Sequence, residues 1–131
     1  MSYIRSNADR FGIREDFYDQ RDIHIHLPAG AVSKDGPSAG AAIAVAVISL
    51  LTDRPVRRHV AITGEITLTG QILPVGGIRE KLLAASSAGV SKVLLPLNNK
   101  EDIETLSPDV VNQLEIILVD SIDDILEHFL A

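Results

Sequence analysis

Hydrophobic and polar positions along this chain alternate between two periods. At 22–27, DIHIHL, they alternate strictly: Ile23, Ile25 and Leu27 fall on one side, His24 and His26 on the other. That is the period of a half-buried strand. From Gly40 the chain is apolar on every face through Leu51, a run too short to cross a bilayer, and so predicts a helix buried in a small domain. Residues 2–11, SYIRSNADRF, have helical spacing that turns Tyr3, Ile4, Ala8 and Phe11 to the core. Gly12 is the stop and 13–20 the connector. Val60-Ala61-Ile62 and Ile66-Thr67-Leu68, with Gly64 and Gly70 beside them, predict two or three short strands joined by tight turns or bulges. Residues 78–88, IREKLLAASSA, predict a helix that Gly89 stops. A strand at 92–95 ends on Pro96, Asn98 or Asn99 caps a short acidic helix over 100–106, and 108–113 is a further short helix or turn. A strand at 114–119 and a helix at 121–130 close the chain. Ser121 caps that helix, and Ile122, Ile125, Leu126 and Phe129 face inward. Strands and helices alternate around one hairpin-rich section, which favours a single α+β or mixed α/β domain; the α+β form, short strands and hairpins packed with about five helices, is the expected fold.

Composition narrows the chemistry. A length of 131 residues supports one modest core, and with 46% apolar but only 4% aromatic residues that core is built from Ile, Leu, Val and Ala. The absence of cysteine excludes disulfides, thiol catalysis and thiolate-bound metal. A net charge of −6 argues against non-specific nucleic-acid binding. The charge is uneven: residues 54–99 hold six Lys/Arg against two Glu, residues 100–131 one Lys against nine Asp/Glu. Arg54, Arg57 and Arg58 form a basic loop, and the acidic end reads as a solvated face. Neither a signal peptide nor a membrane span is visible, so a soluble protein is expected.

Two residues stand out. Ser38 follows Gly36-Pro37, which force a turn, and precedes Ala39-Gly40, which are too small to cover it. It therefore lies at the mouth of the apolar helix, where free N–H groups and the positive dipole end favour negative charge. A nucleophile that generates an oxyanion gains from that placement, and an N-cap serine on a core helix fits it equally. Lys81 has Ile78, Ala84, Ala85 and Ala88 as its neighbours at helical spacing, all apolar. Its stem can snorkel to water; alternatively its ammonium is desolvated, which lowers its pKa towards a usable base. A neutral lysine beside a serine is a known substitute for histidine in serine hydrolases. His24 and His26 lack a third ligand for a metal site, although His26 lies near the serine loop and could line a cleft.

The strings DIHIHLPAGA (22–31), KDGPSAG (34–40) and TGEITLTGQILPVGGIREKLLAA (63–85) resemble the proteolytic domain of the ATP-dependent Lon proteases. The likeness continues through VLLPLNNKEDIE (93–104) to the end. It implies a serine endopeptidase with a Ser–Lys dyad, Ser38 as nucleophile and Lys81 as base, with Thr63 of TGE orienting the lysine. The expected backbone oxyanion donors are the N–H of Ser38 and one from 35–37, where only Asp35 and Gly36 have an N–H to offer. The resemblance further implies a Lon proteolytic-domain fold, related to a ribosomal-protein domain and to small-molecule kinases of the galactokinase type. Unfolded or damaged proteins are the implied substrates, a homohexameric ring the implied assembly, and a soluble intracellular compartment the implied location (cytoplasm in a bacterium, mitochondrial matrix or peroxisome in a eukaryote). No cofactor or metal is expected in this domain: ATP and Mg belong to an ATPase module, and the chain has no G-x-x-x-x-G-K-[ST] string. The family's domain starts with a β-rich segment ahead of the SYIRS helix, so 1–131 is expected to be one peptidase domain truncated at its N-terminus. Two other readings remain at this point. One is a phosphate-binding relative that uses the Gly/Ser loop, and the other a non-catalytic module for assembly or client binding.

Overall fold

The computed structural model describes residues 1–26 and 38–131. Its frame is a three-stranded parallel sheet in the order β1 (Val60–Ile62), β4 (Lys92–Pro96), β5 (Glu115–Val119). The register pairs Ile62 with Leu94 and Leu94 with Ile117. A parallel ladder needs crossovers, and helices supply them. The two faces of the sheet bury different cores, as the period of 2 along each strand requires. Val60, Ile62, Leu94, Ile117 and Val119 face a cluster built with α3 (Gly40–Thr52) and α7 (Ile122–Phe129). Ala61, Val93, Leu95, Ile116 and Leu118 face a second cluster closed by Ile78 and Leu82 of α4 (Ile78–Ser87). Leu82, Leu94 and Leu95 are fully buried, each worth about 1.5–3 kcal/mol of transfer free energy. A two-stranded antiparallel hairpin, β2 (Glu65–Ile66) with β3 (Ile72–Leu73), lies between β1 and α4 in the chain.

The mixed α and β character agrees with the sequence, and so do α3, α4, β1, β4, β5 and α7, where Ser121 Oγ accepts from Asp124 N–H as the cap. Several details differ. The N-terminal helix is short, α1 (Ser2–Ser6), followed by a 3₁₀ turn at Asp9–Phe11. Asn7 breaks it: its Nδ2 donates to the Tyr3 carbonyl, and its backbone leaves the helical region. The expected connector at 13–20 contains α2 (Phe17–Gln20), anchored by buried Ile13 and Phe17. Asp22–His26, expected as the start of a strand, has no strand partner among the described residues, and Ile25 is exposed. Alternation predicts a strand only where a ladder neighbour exists to use it. Leu68 belongs to the hairpin turn and is largely exposed, not a strand residue. The expected acidic helix over 100–106 is present as α5 (Lys100–Glu104), two residues shorter and preceded by a 3₁₀ turn (Leu97–Asn99), and α6 (Pro108–Val111) follows. The described residues thus hold seven α-helices rather than about five. Helix α3 is not buried all round, for Ala46 and Leu50 are exposed. Within the basic loop, Arg57 is a structural clamp: its Nε donates to the Leu130 carbonyl and its N–H to that of Phe129. No helix described is long and apolar enough to cross a membrane.

Candidate active site

Edge strand β1 ends at Ile62, and the next two residues hold the two parts of the site. The Thr63 N–H still donates to the Leu94 carbonyl, 3.3 Å, so its backbone remains tied to the sheet. Its side chain is buried, and its Oγ1 accepts from Lys81 Nζ at 3.2 Å. The Gly64 N–H donates to the Ser38 carbonyl at 3.0 Å, and the Gly64 carbonyl accepts from the Ala41 N–H at 3.0 Å. One dipeptide therefore positions the lysine through a side chain and the serine through the backbone. Position 64 admits only glycine: a Cβ there would lie 2.8 Å from Ile72 Cγ2 and 3.6 Å from Ala41 Cβ. Gly64→Ala is expected to destabilise the fold by about 1–3 kcal/mol through overpacking, as read by urea denaturation.

Ser38 precedes α3 by one turn residue. The N-cap of α3 is Ala39, and no side chain caps the helix; the Gly64 carbonyl meets the Ala41 N–H instead. The Ser38 hydroxyl thus takes no capping role and has no hydrogen-bond partner among the described residues. It lines a cavity of about 620 Å³ together with Thr63 and Lys81. The remaining wall is small and apolar: Ala42, Ala61, Ala84, Ala85 and Val93 among others. Lys81 is half-buried there, and no carboxylate pairs with it among the described residues. Burial against these walls pushes its pKa below the ordinary lysine value. Ser38 and Lys81 share the cavity without a direct hydrogen bond between them; the lysine's partner is Thr63.

The other expected site residues divide. Asp35 and Gly36 lie outside the described residues. His26 is exposed and lines a separate apolar groove of about 370 Å³ with His24, Ile25, Ala46 and Leu50. Among the described residues that groove and the Ser38 cavity share Ala39 and Ala42, and His26 lines the groove and not the cavity that holds Ser38 and Lys81.

The whole chain, residues 1–131, matches the family of the Lon protease (S16) C-terminal proteolytic domain. Curated proteins named Lon protease align along nearly all of it. The chain is 50% identical over 127 residues to that of Vibrio parahaemolyticus, covering 97% of this chain and 16% of the relative. It is 53% identical over 129 residues to that of Azorhizobium caulinodans (98% and 15%), and 49% identical over 130 residues to that of Syntrophomonas wolfei (99% and 16%). The chain belongs to the Lon proteolytic-domain family.

As a Lon proteolytic domain it is of serine-peptidase type. It spans about one sixth of the length of these Lon proteases. Sequence reasoning reached Ser38, Lys81 and Thr63 but overlooked Gly64, whose signal was the lone glycine following the orienting threonine. Asn98 or Asn99 was expected to cap the acidic helix, and Asn99 is indeed the N-cap residue of α5, although its side chain makes no capping hydrogen bond. The structure makes it one of two buried polar side chains among the described residues, the other being Thr63.

Proposed function

We propose that this chain hydrolyses peptide bonds with Ser38 as nucleophile and Lys81 as general base. The observation that carries the reading is the shared apolar cavity, in which a half-buried lysine with a lowered pKa lies with a serine hydroxyl that caps nothing. In this mechanism neutral Lys81 takes the Ser38 Oγ proton as Oγ attacks the scissile carbonyl. The positive end of α3 and two backbone N–H groups, that of Ser38 and that of Asp35 or Gly36, stabilise the oxyanion. Lys81 then gives its proton to the leaving amine, and water releases the acyl group. Thr63 fixes the lysine rotamer. Replacing it with valine keeps the shape and removes the hydrogen bond, and is expected to lower peptide turnover about tenfold, the worth of one such bond, while Thr63→Ser retains most activity.

The phosphate-binding reading is disfavoured by Asp35 in the same Gly/Ser sequence, whose carboxylate repels an anion. Unfolded or damaged proteins are the substrates in this reading, bound as extended strands through main-chain hydrogen bonds. ATP and Mg²⁺ act in a separate ATPase module, the assembly is a six-membered ring closed by head-to-tail contacts, and the compartment is the cytoplasm of a bacterium or the mitochondrial matrix or peroxisome of a eukaryote. The fold's kinship with the ribosomal-protein and galactokinase-type domains belongs to the same proposal. The test is a fluorophosphonate or peptide-boronate label located by mass spectrometry. Modification at Ser38 alone is the expected result; an unlabelled protein that binds nucleotide tightly overturns it.

A further inference from the structure

Asn99 is 2% exposed and closes the 3₁₀ turn after β4. Its carboxamide grips a single residue of another segment on both sides: Oδ1 accepts from the Val75 N–H at 2.9 Å, and Nδ2 donates to the Val75 carbonyl at 2.8 Å. Nδ2 also donates to Asp102 Oδ2 at 2.6 Å. An amide side chain that mimics a strand neighbour for one residue fixes that residue's position and peptide orientation together. Val75 is followed by Gly76 and Gly77, and Gly77 is the N-cap of α4 with a left-handed φ of 69°. The Gly77 carbonyl accepts from the Lys81 N–H at 3.0 Å. The line from the Asn99 amide to the Lys81 backbone therefore consists of two hydrogen bonds to Val75, two glycines and one helical hydrogen bond. Glycines transmit position poorly unless both ends are held. Here one end is α4, packed by Ile78 and Leu82, and the other is Val75, clamped by Asn99.

We propose that Asn99 is a positioning residue for the peptidase reaction: by clamping Val75 it fixes where α4 begins, and so holds the Lys81 ammonium against Thr63 inside the apolar cavity. The inference rests on the Ser38–Lys81 reading above. Among the described residues, the polar groups that line the cavity with Lys81 are Thr63, just past β1, and Ser38, just before α3. The walls from α3, α4 and β4 are Ala42, Ala84, Ala85 and Val93, none of which titrates. Loosening the clamp lets the ammonium reach water, and its pKa then returns towards the ordinary lysine value.

The test compares wild type, Asn99→Ala and Asp102→Ala, each checked for cooperative unfolding, by the pH dependence of single-turnover acylation of Ser38 with a peptide nitrophenyl ester, which releases nitrophenolate as the acyl–enzyme forms. Asn99→Ala is expected to move the acylation midpoint alkaline by about one unit, a tenfold slower reaction at pH below it, with little change in the concentration dependence. Asp102→Ala keeps both Val75 contacts and is expected to follow the wild-type profile. Asn99→Asp, should Asn99→Ala fail to unfold cooperatively, keeps the shape but places a second acceptor against the Val75 carbonyl, and is expected to shift the midpoint likewise. A lowered melting temperature with an unmoved midpoint overturns the positioning role. A wild-type profile independent of Lys81 overturns the dyad itself, which separates the two failures.

Discussion

Ser38→Ala is expected to abolish peptide hydrolysis while leaving the fold intact. The hydroxyl caps no helix and has no hydrogen-bond partner among the described residues. The Ser38 carbonyl accepts from the Gly64 N–H, and alanine retains that carbonyl. Removing the nucleophile of a serine peptidase costs about 10⁴-fold or more in turnover, because the remaining members of the unit then do little. The check is kcat on an unstructured casein-like substrate, with the ATPase module supplied separately, beside a thermal melt. An unchanged melt with lost turnover is the expected pair.

Lys81→Arg is expected to be almost as damaging, although it conserves charge. Arginine stays protonated at any workable pH and cannot accept the Ser38 proton. Lys81→Gln lacks a base altogether. Loss of a positioned general base costs about 10²–10⁴-fold, so both variants should fall in that range in kcat with smaller changes in KM. The sign of the pH dependence follows from the lowered pKa: the base is active when neutral, so wild-type activity rises with pH through that depressed value and reaches its plateau below the ordinary lysine range. Neither variant should show that limb.

How much of this was legible beforehand depended on whether a residue's role is carried by its own local sequence. The apolar run that became α3 and the Lys81 helix were plain from periodicity, and the motifs around Ser38, Thr63 and Lys81 carried the family resemblance. Asp22–His26 has a strand's alternation, but strand formation depends on a ladder partner that no local pattern announces, and none is present among the described residues. The splitting of the first helix turned on a single side-chain bond from Asn7 to Tyr3. Asn99 lies 24 residues from the Val75 it clamps, and an asparagine before an acidic helix is the usual signal of a cap. Gly64 bonds across to Ser38 and Ala41, and its need to be glycine comes from Ile72. In each case the deciding partner is distant along the chain, so the local pattern described the residue's type and not its task.

The central claim is that Lys81, neutral, is the base for Ser38. It is tested most directly by measuring two midpoints on one protein: the pKa of the Lys81 ammonium by NMR of lysine side chains, assigned with Lys81→Gln, and the midpoint of the pH profile for Ser38 acylation by a peptide nitrophenyl ester. The account predicts that the two coincide below the ordinary lysine value and that Lys81→Gln loses the profile. Acylation of Lys81→Gln at the wild-type rate, or an acylation midpoint well away from that of Lys81, would contradict it.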